Sequence, residues 1–431
     1  MKEICFYFQV HQPLRLRRYR FFEIGQDHYY YDDFQTEDRL KTLVEQVYLP
    51  ANRTIAEMIR SSNGKFRCAF SISGIALEQL EQHAPEVIDS FKELSKTGCI
   101  EFLAEPYAHS LSSIFDTSEF IRQVKLHADK IESLFGKRPT AFFNAELIYS
   151  DEIGELVSKM GYKTMMIDEV KHVLGWKSPN YVYMHSHIPK LRLLVRNHKF
   201  SDDIAFRFSK MNWKDYPLTA EKFIDWIEKI PADEKIINLG MGYEVFGLTQ
   251  SVQTGIFEFL KALPYHAMEH HVNFVLPSEL SKKNEPIGSL SVSYPVSWVG
   301  NDKDLIPWTG NDLQQEALSK LYAVGERVRL CSDKPLLHDW LMLQSSDHFR
   351  YMSLKDPYGT NYESAYDAFM NYMNVLADFL ERVDAQYPTT IENEELNELL
   401  KTINQQEIEI EKLENEVKKL KEKKVKVAIK K

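Results

Sequence analysis

Ala141-Phe142-Phe143-Asn144-Ala145-Glu146-Leu147-Ile148-Tyr149 puts a carboxylate where a short apolar, aromatic run ends. A run of this length reads as a buried strand. A charge buried at its end is costly, so Glu146 must pair, neutralise or react. A structural salt bridge to some Arg or Lys meets that requirement as well as chemistry does. Working outward, comparable runs recur at 4–10, 67–72, 100–104, 164–167, 193–195, 236–239 and 273–276, separated by helical stretches. Between the second and third, Leu77, Leu80, Val87, Ile88, Phe91 and Leu94 keep helical spacing, with Pro85 at a turn start. Such alternation predicts an α/β fold with a parallel sheet covered by helices, and seven or eight such units are able to close into a barrel.

In a βα barrel the active site lies at the carboxyl ends of the strands. The residues that follow the runs are polar: His11 and Gln12 after the first, Glu105 and His109 after the third, Glu146 after the fourth, Asp202 after the 193 run, and Glu244 after the 236 run. Their convergence on one rim is the sequence's argument for an active site. Beyond Pro286 the pattern turns helical over 313–330, 336–351 and 362–383, which predicts a three-helix appendage. The chain ends on heptads. Leu396, Ile403, Ile410 and Val417 occupy one seam, Leu399, Leu413, Leu420 and Val427 the other, with Gln406 between. These predict a coiled coil and a homodimer through it. The terminal lysines from Lys421 to Lys431 read as a solvated charge run rather than a nucleic-acid or membrane contact. The expected division is 1–286 as barrel, 287–388 as helical domain contributing to the cleft, and 389–431 as coiled coil with basic tail.

A chain of 431 residues with 12% aromatics has apolar surface for a large core, and rings on which sugars stack. Its formal net charge of -10 argues against nucleic acid as the main partner of the globular part. Cys5, Cys68, Cys99 and Cys331 show no paired spacing, as expected of buried thiols in a reducing compartment. No stretch approaches the roughly 20 apolar residues of a membrane span, and the first apolar run leads to no cleavage site. The expectation is a cytoplasmic protein.

Two carboxylates about 5 to 5.5 Å apart break a glycosidic bond with retention, one as nucleophile and the other as acid and then base. Glu146 with Asp202 or Asp203 are the candidates, and spacing alone leaves that choice open. The basic residues of Arg196-Asn197-His198-Lys199 stand close enough to hold one of the aspartates ionised. His11, Glu105 and His109 form an alternative set of metal ligands. Pro106 disfavours one continuous helix through the last two, and their spacing matches no recognised zinc motif.

The segments Phe8-Gln9-Val10-His11-Gln12-Pro13, Ile100-Glu101-Phe102-Leu103-Ala104-Glu105, Asn144-Ala145-Glu146-Leu147-Ile148-Tyr149, Phe200-Ser201-Asp202-Asp203-Ile204-Ala205-Phe206 and Gly242-Tyr243-Glu244-Val245-Phe246-Gly247 are notable for their order. They resemble the five successive motif regions of glycoside hydrolase family 57, in its α-amylase branch. Pro295-Val296-Ser297-Trp298 and Gln344-Ser345-Ser346-Asp347-His348-Phe349 also look like that branch. The resemblance covers roughly residues 1 to 385. It implies an incomplete, TIM-like barrel of seven βα units with a helical domain, a retaining mechanism on α-1,4-glucans, and no cofactor or metal. It further implies Glu146 as nucleophile and Asp202, rather than Asp203, as acid/base. His11, Glu105, His109, Glu244, Trp298 and Asp347 would then contact the sugar.

One region departs from the pattern: Gly242, Leu248 and Thr249 stand where the family usually has an Asp, an acidic residue and a His. The expected activity is an α-amylase, with a 4-α-glucanotransferase using the same residues as the alternative. A metal-dependent carbohydrate deacetylase and a non-catalytic glucan-binding protein are the readings from other classes.

Overall fold

The computed structural model describes residues 1–355 and 361–387, with scattered helical positions between 399 and 417. Eight strands organise it: β1 (Glu3–Val10), β2 (Cys68–Ile72), β3 (Ile100–Phe102), β4 (Ala141–Phe143), β5 (Thr164–Ile167), β6 (Val182–His185), β7 (Arg192–Val195) and β8 (Ile236–Gly242). β1 lies between β2 and β8, all parallel, and β3 follows β2. A second sheet runs β4-β5-β7 in parallel, with β6 antiparallel to β7. Single parallel bridges, Ala104 to Phe142 and Arg196 to Asn238, join the two sheets at both ends.

Side chains along β1 divide by parity, as a strand buried on both faces requires. Ile4, Phe6, Phe8 and Val10 pack against the surrounding helices. Cys5 and Tyr7 face inward with Ala69, Leu103, Phe143, Met166 and Leu194. Gly240 of β8 makes room there, since a Cβ on it would lie 2.2 Å from the Tyr7 ring.

The apolar runs of the sequence coincide with β1 to β5, β7, β8 and a short strand Asn273–Phe274 on β1. β6 has no counterpart among them, because Tyr183 and His185 interrupt its apolar residues. The periodic segment with Pro85 is two helices, Gly74–His83 and Pro85–Lys96, the proline in the first turn of the second.

The region beyond Pro286 first adds the strand Ser289–Leu290 to β6. Helices Asp312–Ala323, Gly325–Leu330, Lys334–Leu343, Ser346–Arg350 and Ala365–Gln386 follow. Trp308, Leu321, Trp340 and Phe349 share one apolar cluster with Phe142, Ile148 and Tyr149, so the helices pack directly behind β4. All four cysteines are free and buried. Among the described residues no helix is long and apolar enough to cross a membrane. The heptad segment falls largely, and the basic tail wholly, outside the described residues. Of the seam positions, Leu399, Ile403, Ile410, Leu413 and Val417 are helical and exposed.

Candidate active site

Carboxyl ends of the parallel strands surround a cavity of about 450 Å³. Its lining includes His11 beyond β1, Glu146 beyond β4, Arg196, His198 and Asp202 beyond β7, and Glu244 beyond β8. The helical region adds Asp347, Arg350 and Tyr351, and the loop before it adds Trp298 and Lys303.

Glu146 sits in a left-handed backbone conformation with φ 53, followed by Leu147 with φ 51, and His109 has φ 52. Non-glycine residues rarely take this region, and strain of this kind concentrates at functional sites. Tyr149 and Val296 hold the loop by a two-way backbone bridge, N–H to O 3.0 and 2.9 Å. That bridge brings in Trp298, whose indole Nε1 donates to Glu146 Oε2 at 2.6 Å.

Glu105 and His109 lie just beneath the cavity, fully buried. Ser71 donates to Glu105 Oε1 at 2.8 Å, and His109 Nδ1 contacts Glu105 Oε2 at 2.8 Å. His109 Nε2 stands 3.5 Å from Glu146 Oε1. Burial opposes a charge on His109, but the hydrogen bonds and charges of Glu105 and Glu146 outweigh it and raise its pKa to about 10. The ring is therefore an imidazolium at neutral pH. The Gln9 side-chain amide, 2.9 Å from Nε2, must then turn its oxygen toward the ring. Burial likewise pushes the Glu146 carboxyl up, yet His109, then Arg350 and the Trp298 bond, bring it below its ordinary value.

His11 stacks on His109 with ring centroids 4.2 Å apart. Its Nδ1 meets Ser73 Oγ at 2.7 Å and its Nε2 meets Asp347 Oδ2 at 2.8 Å. Every nitrogen of both imidazoles is thus engaged by a protein group, so His11, Glu105 and His109 do not converge as a ligand set. The described residues bring a metal-capable trio together only at Asp225, Glu228 and His270, away from the cavity.

Asp202 closes the short helix His198–Asp202. The buried Arg196 donates from Nη2 to Asp202 Oδ1 at 2.7 Å, and His198 Nδ1 is 3.4 Å from Oδ2. Arg196 is itself fixed by Gly240 O at 2.6 Å and Asp168 Oδ1 at 3.2 Å, and its guanidinium lies 5.6 Å from the Trp298 ring centroid. Trp298 is thus bonded to one carboxylate and packs against the cation that holds the other. Asp203 is absent from the cavity lining; it is buried and paired with Arg207.

Asp168 and Lys303 escaped the sequence reading. Asp168 follows the 164–167 run directly, so inspecting the end of every run would have found it. Lys303, 3.0 Å from Asp168 Oδ2 and 2.7 Å from the Trp298 carbonyl, is brought in by the loop and has no local signal.

The departure at Gly242 has a side-chain cause. Its backbone is ordinary, φ -62 and ψ 143. A Cβ there would meet Glu244 Oε1 at 2.2 Å, so the Glu244 carboxylate occupies the space of a side chain at 242. Burial, then the charge of Glu146, raises the Glu244 pKa. Gly242→Asp is expected to fold and to displace the Glu244 carboxylate; a melting curve checks the first and ligand-binding calorimetry the second. A loss of several kcal/mol in stability would show instead that the position cannot hold a side chain.

His109 also sets a pH dependence. A folded-state pKa raised to about 10 from 6.5 contributes stability that is fully present below pH 6.5 and is lost as pH rises through 10. Melting temperatures between pH 6.5 and 10.5 should fall more steeply for the wild-type chain than for His109→Gln.

The sequence profile of glycosyl hydrolase family 57 matches residues 5–293. His11, Glu105, His109, Glu146, Asp202 and Glu244 all lie within that stretch. A protein of Methanocaldococcus jannaschii named "Putative alpha-amylase" is 35% identical over 400 residues, covering 87% of this chain and 84% of that protein. Among solved structures, a branching enzyme of Thermococcus kodakaraensis superposes with TM-score 0.65 at 14% identity, covering 89% of this chain and 94% of that one. The 4-alpha-glucanotransferase of Thermococcus litoralis gives TM-score 0.63 at 15% identity over 87% of this chain. This chain spans only 59% of that transferase. At such identities the structural likeness speaks for the fold alone. The matched profile, running from β1 past β8, and the 35% identity over 400 residues carry the assignment: the chain belongs to glycosyl hydrolase family 57.

Proposed function

We propose that the protein cleaves α-1,4-glucosidic bonds with retention, Glu146 attacking the anomeric carbon and Asp202 serving as acid and then base. The observation that carries this reading is that the two carboxylates open on one cavity from the ends of β4 and β7, linked through Trp298 and Arg196. Glu146 is kept ionised, as a nucleophile must be. Arg196 holds Oδ1 of Asp202 at 2.7 Å, and Oδ2 lies 3.4 Å from His198 Nδ1 on the cavity side. His11, Glu244, Trp298 and Asp347 are assigned to the attacked sugar, while the buried Glu105 and His109 are assigned to its surroundings, acting through Glu146.

The names of the relatives include an amylase, a glucanotransferase and a branching enzyme. Water and a sugar hydroxyl are therefore both acceptors to be tested, and products from maltoheptaose decide: shorter sugars alone mean hydrolysis, longer ones as well mean transfer, and no reaction overturns the reading.

The proposal extends to the architecture. The path β1-β2-β3-β4-β5-β7-β8 back to β1 is read as a seven-unit, incomplete TIM-like barrel over 1–286, with a helical domain over 287–388. The heptads of 389–431 are read as a parallel two-stranded coiled coil that makes the protein a dimer. Light scattering should give twice the monomer mass for the full chain and the monomer mass for a chain ending at Pro388. Equal monomer masses would reject the dimer.

A further inference from the structure

Phe206 is an aromatic ring on the cavity wall, 54% exposed, in a segment whose other apolar residues are buried. Phe200, Ile204, Ala205 and Phe208 all face the core around the helices at β8. The exposure is built in by the backbone. After Asp202 the chain widens into a π-helical turn, Asp203–Arg207. Such turns are rare and recur at functional sites.

Three contacts fix the turn. Arg207 Nε donates to Asp203 Oδ1 at 2.5 Å, Arg207 Nη2 donates to the Lys199 carbonyl at 2.9 Å, and the buried Gln250 Nε2 donates to the Ala205 carbonyl at 2.8 Å. The last bond also ties the ring's segment to Thr249, the exposed neighbour of Gln250 that lines the same cavity.

We propose that Phe206 and Thr249 form a glucosyl subsite on the leaving-group side of the bond that is broken, Phe206 being its stacking platform. The inference rests on the assignment of Asp202 as acid/base. Phe206 comes four residues after Asp202, across the π-turn, and both side chains line the same cavity. The group that protonates the departing oxygen lies beside the sugar bearing that oxygen, so the ring is placed against that sugar. The apolar C–H face of a glucose unit lies on an aromatic ring, while its hydroxyls keep polar partners or water. An acceptor chain uses the same subsite. Its hydroxyl attacks the anomeric carbon of the glycosyl-enzyme, the bond to Glu146 breaks, and the hydroxyl proton passes to Asp202.

Phe206→Ala and Phe206→Trp test this in two assays. The first is kcat/KM on maltoheptaose and on an aryl maltoside whose leaving group is no sugar. The second is calorimetric binding of maltoheptaose in the Glu146→Gln background. Phe206→Ala is expected to lose about tenfold on maltoheptaose, at least fivefold more than on the aryl maltoside, and to bind maltoheptaose about tenfold more weakly. Phe206→Trp should restore both, and Phe206→Ala should lower any ratio of longer to shorter products. Equal losses on the two substrates, or no loss on either, would overturn the subsite. A different result marks failure of the underlying assignment: Asp202→Asn losing equally on both substrates, or no maltoheptaose binding at all, removes the acid/base role and the subsite with it.

Discussion

Glu146→Gln is expected to fold, to bind malto-oligosaccharides and to lose about 10⁴-fold or more in rate, as removal of a covalent nucleophile does elsewhere. The amide keeps the shape of the carboxylate, and its oxygen still accepts from the Trp298 indole now 2.6 Å away. On the proposed mechanism, the carboxylate's nucleophilicity is what the substitution removes. His109 loses one of the two carboxylates that raise its pKa, so its titration should move down in the variant. The wild-type product first formed should keep the α configuration, read by proton NMR within minutes of mixing. A β product, or near-normal activity in Glu146→Gln, would reject Glu146 as the nucleophile of a retaining enzyme.

Asp202→Asn should separate substrates by their leaving groups. An unactivated glucan needs its departing oxygen protonated, and loss of the acid costs about 10² to 10⁴-fold. An aryl maltoside departs with little help and should lose far less in the first step. The fold has reason to survive, because Arg196 keeps Asp168 and the Gly240 carbonyl when Asp202 is neutralised. Asp203→Asn affects an ion pair with Arg207 outside the cavity lining, and its effect on rate should be milder. Equal losses on both substrates in Asp202→Asn would contradict the acid/base role.

Much of this was legible along the chain because it follows from local chemistry. A strand buried on both faces reads as a near-continuous apolar run rather than an alternation, so the middle of β1 announces itself as Ile4-Cys5-Phe6-Tyr7-Phe8. Polar residues at strand ends are conspicuous against such runs, which is how His11, Glu105, Glu146 and Glu244 were found. β6 is not legible in this way because its burial is supplied by neighbours rather than by an unbroken apolar run, whereas Asp168 carries the same strand-end signal directly after Ile167.

The sequence by itself determined the α/β alternation, the strand-end polar residues and, through five ordered motifs, the family. Tertiary structure decided which charges meet. Arg196 lies six residues before Asp202 and seven before Asp203, a difference too small to choose between them. The short helix His198–Asp202 points one carboxylate at the guanidinium and the π-turn gives the other to Arg207. Trp298 is 152 residues from Glu146, and Asp347 is 336 from His11; hydrogen bonds over such separations leave no periodic trace. The same holds at Gly242, where the carboxylate of Glu244 lies in the space a side chain would take. Local pattern fixes which residues are buried or turn-forming, because those preferences act within a few residues. Ion pairing and protonation depend on distances that exist only once the strands have come together.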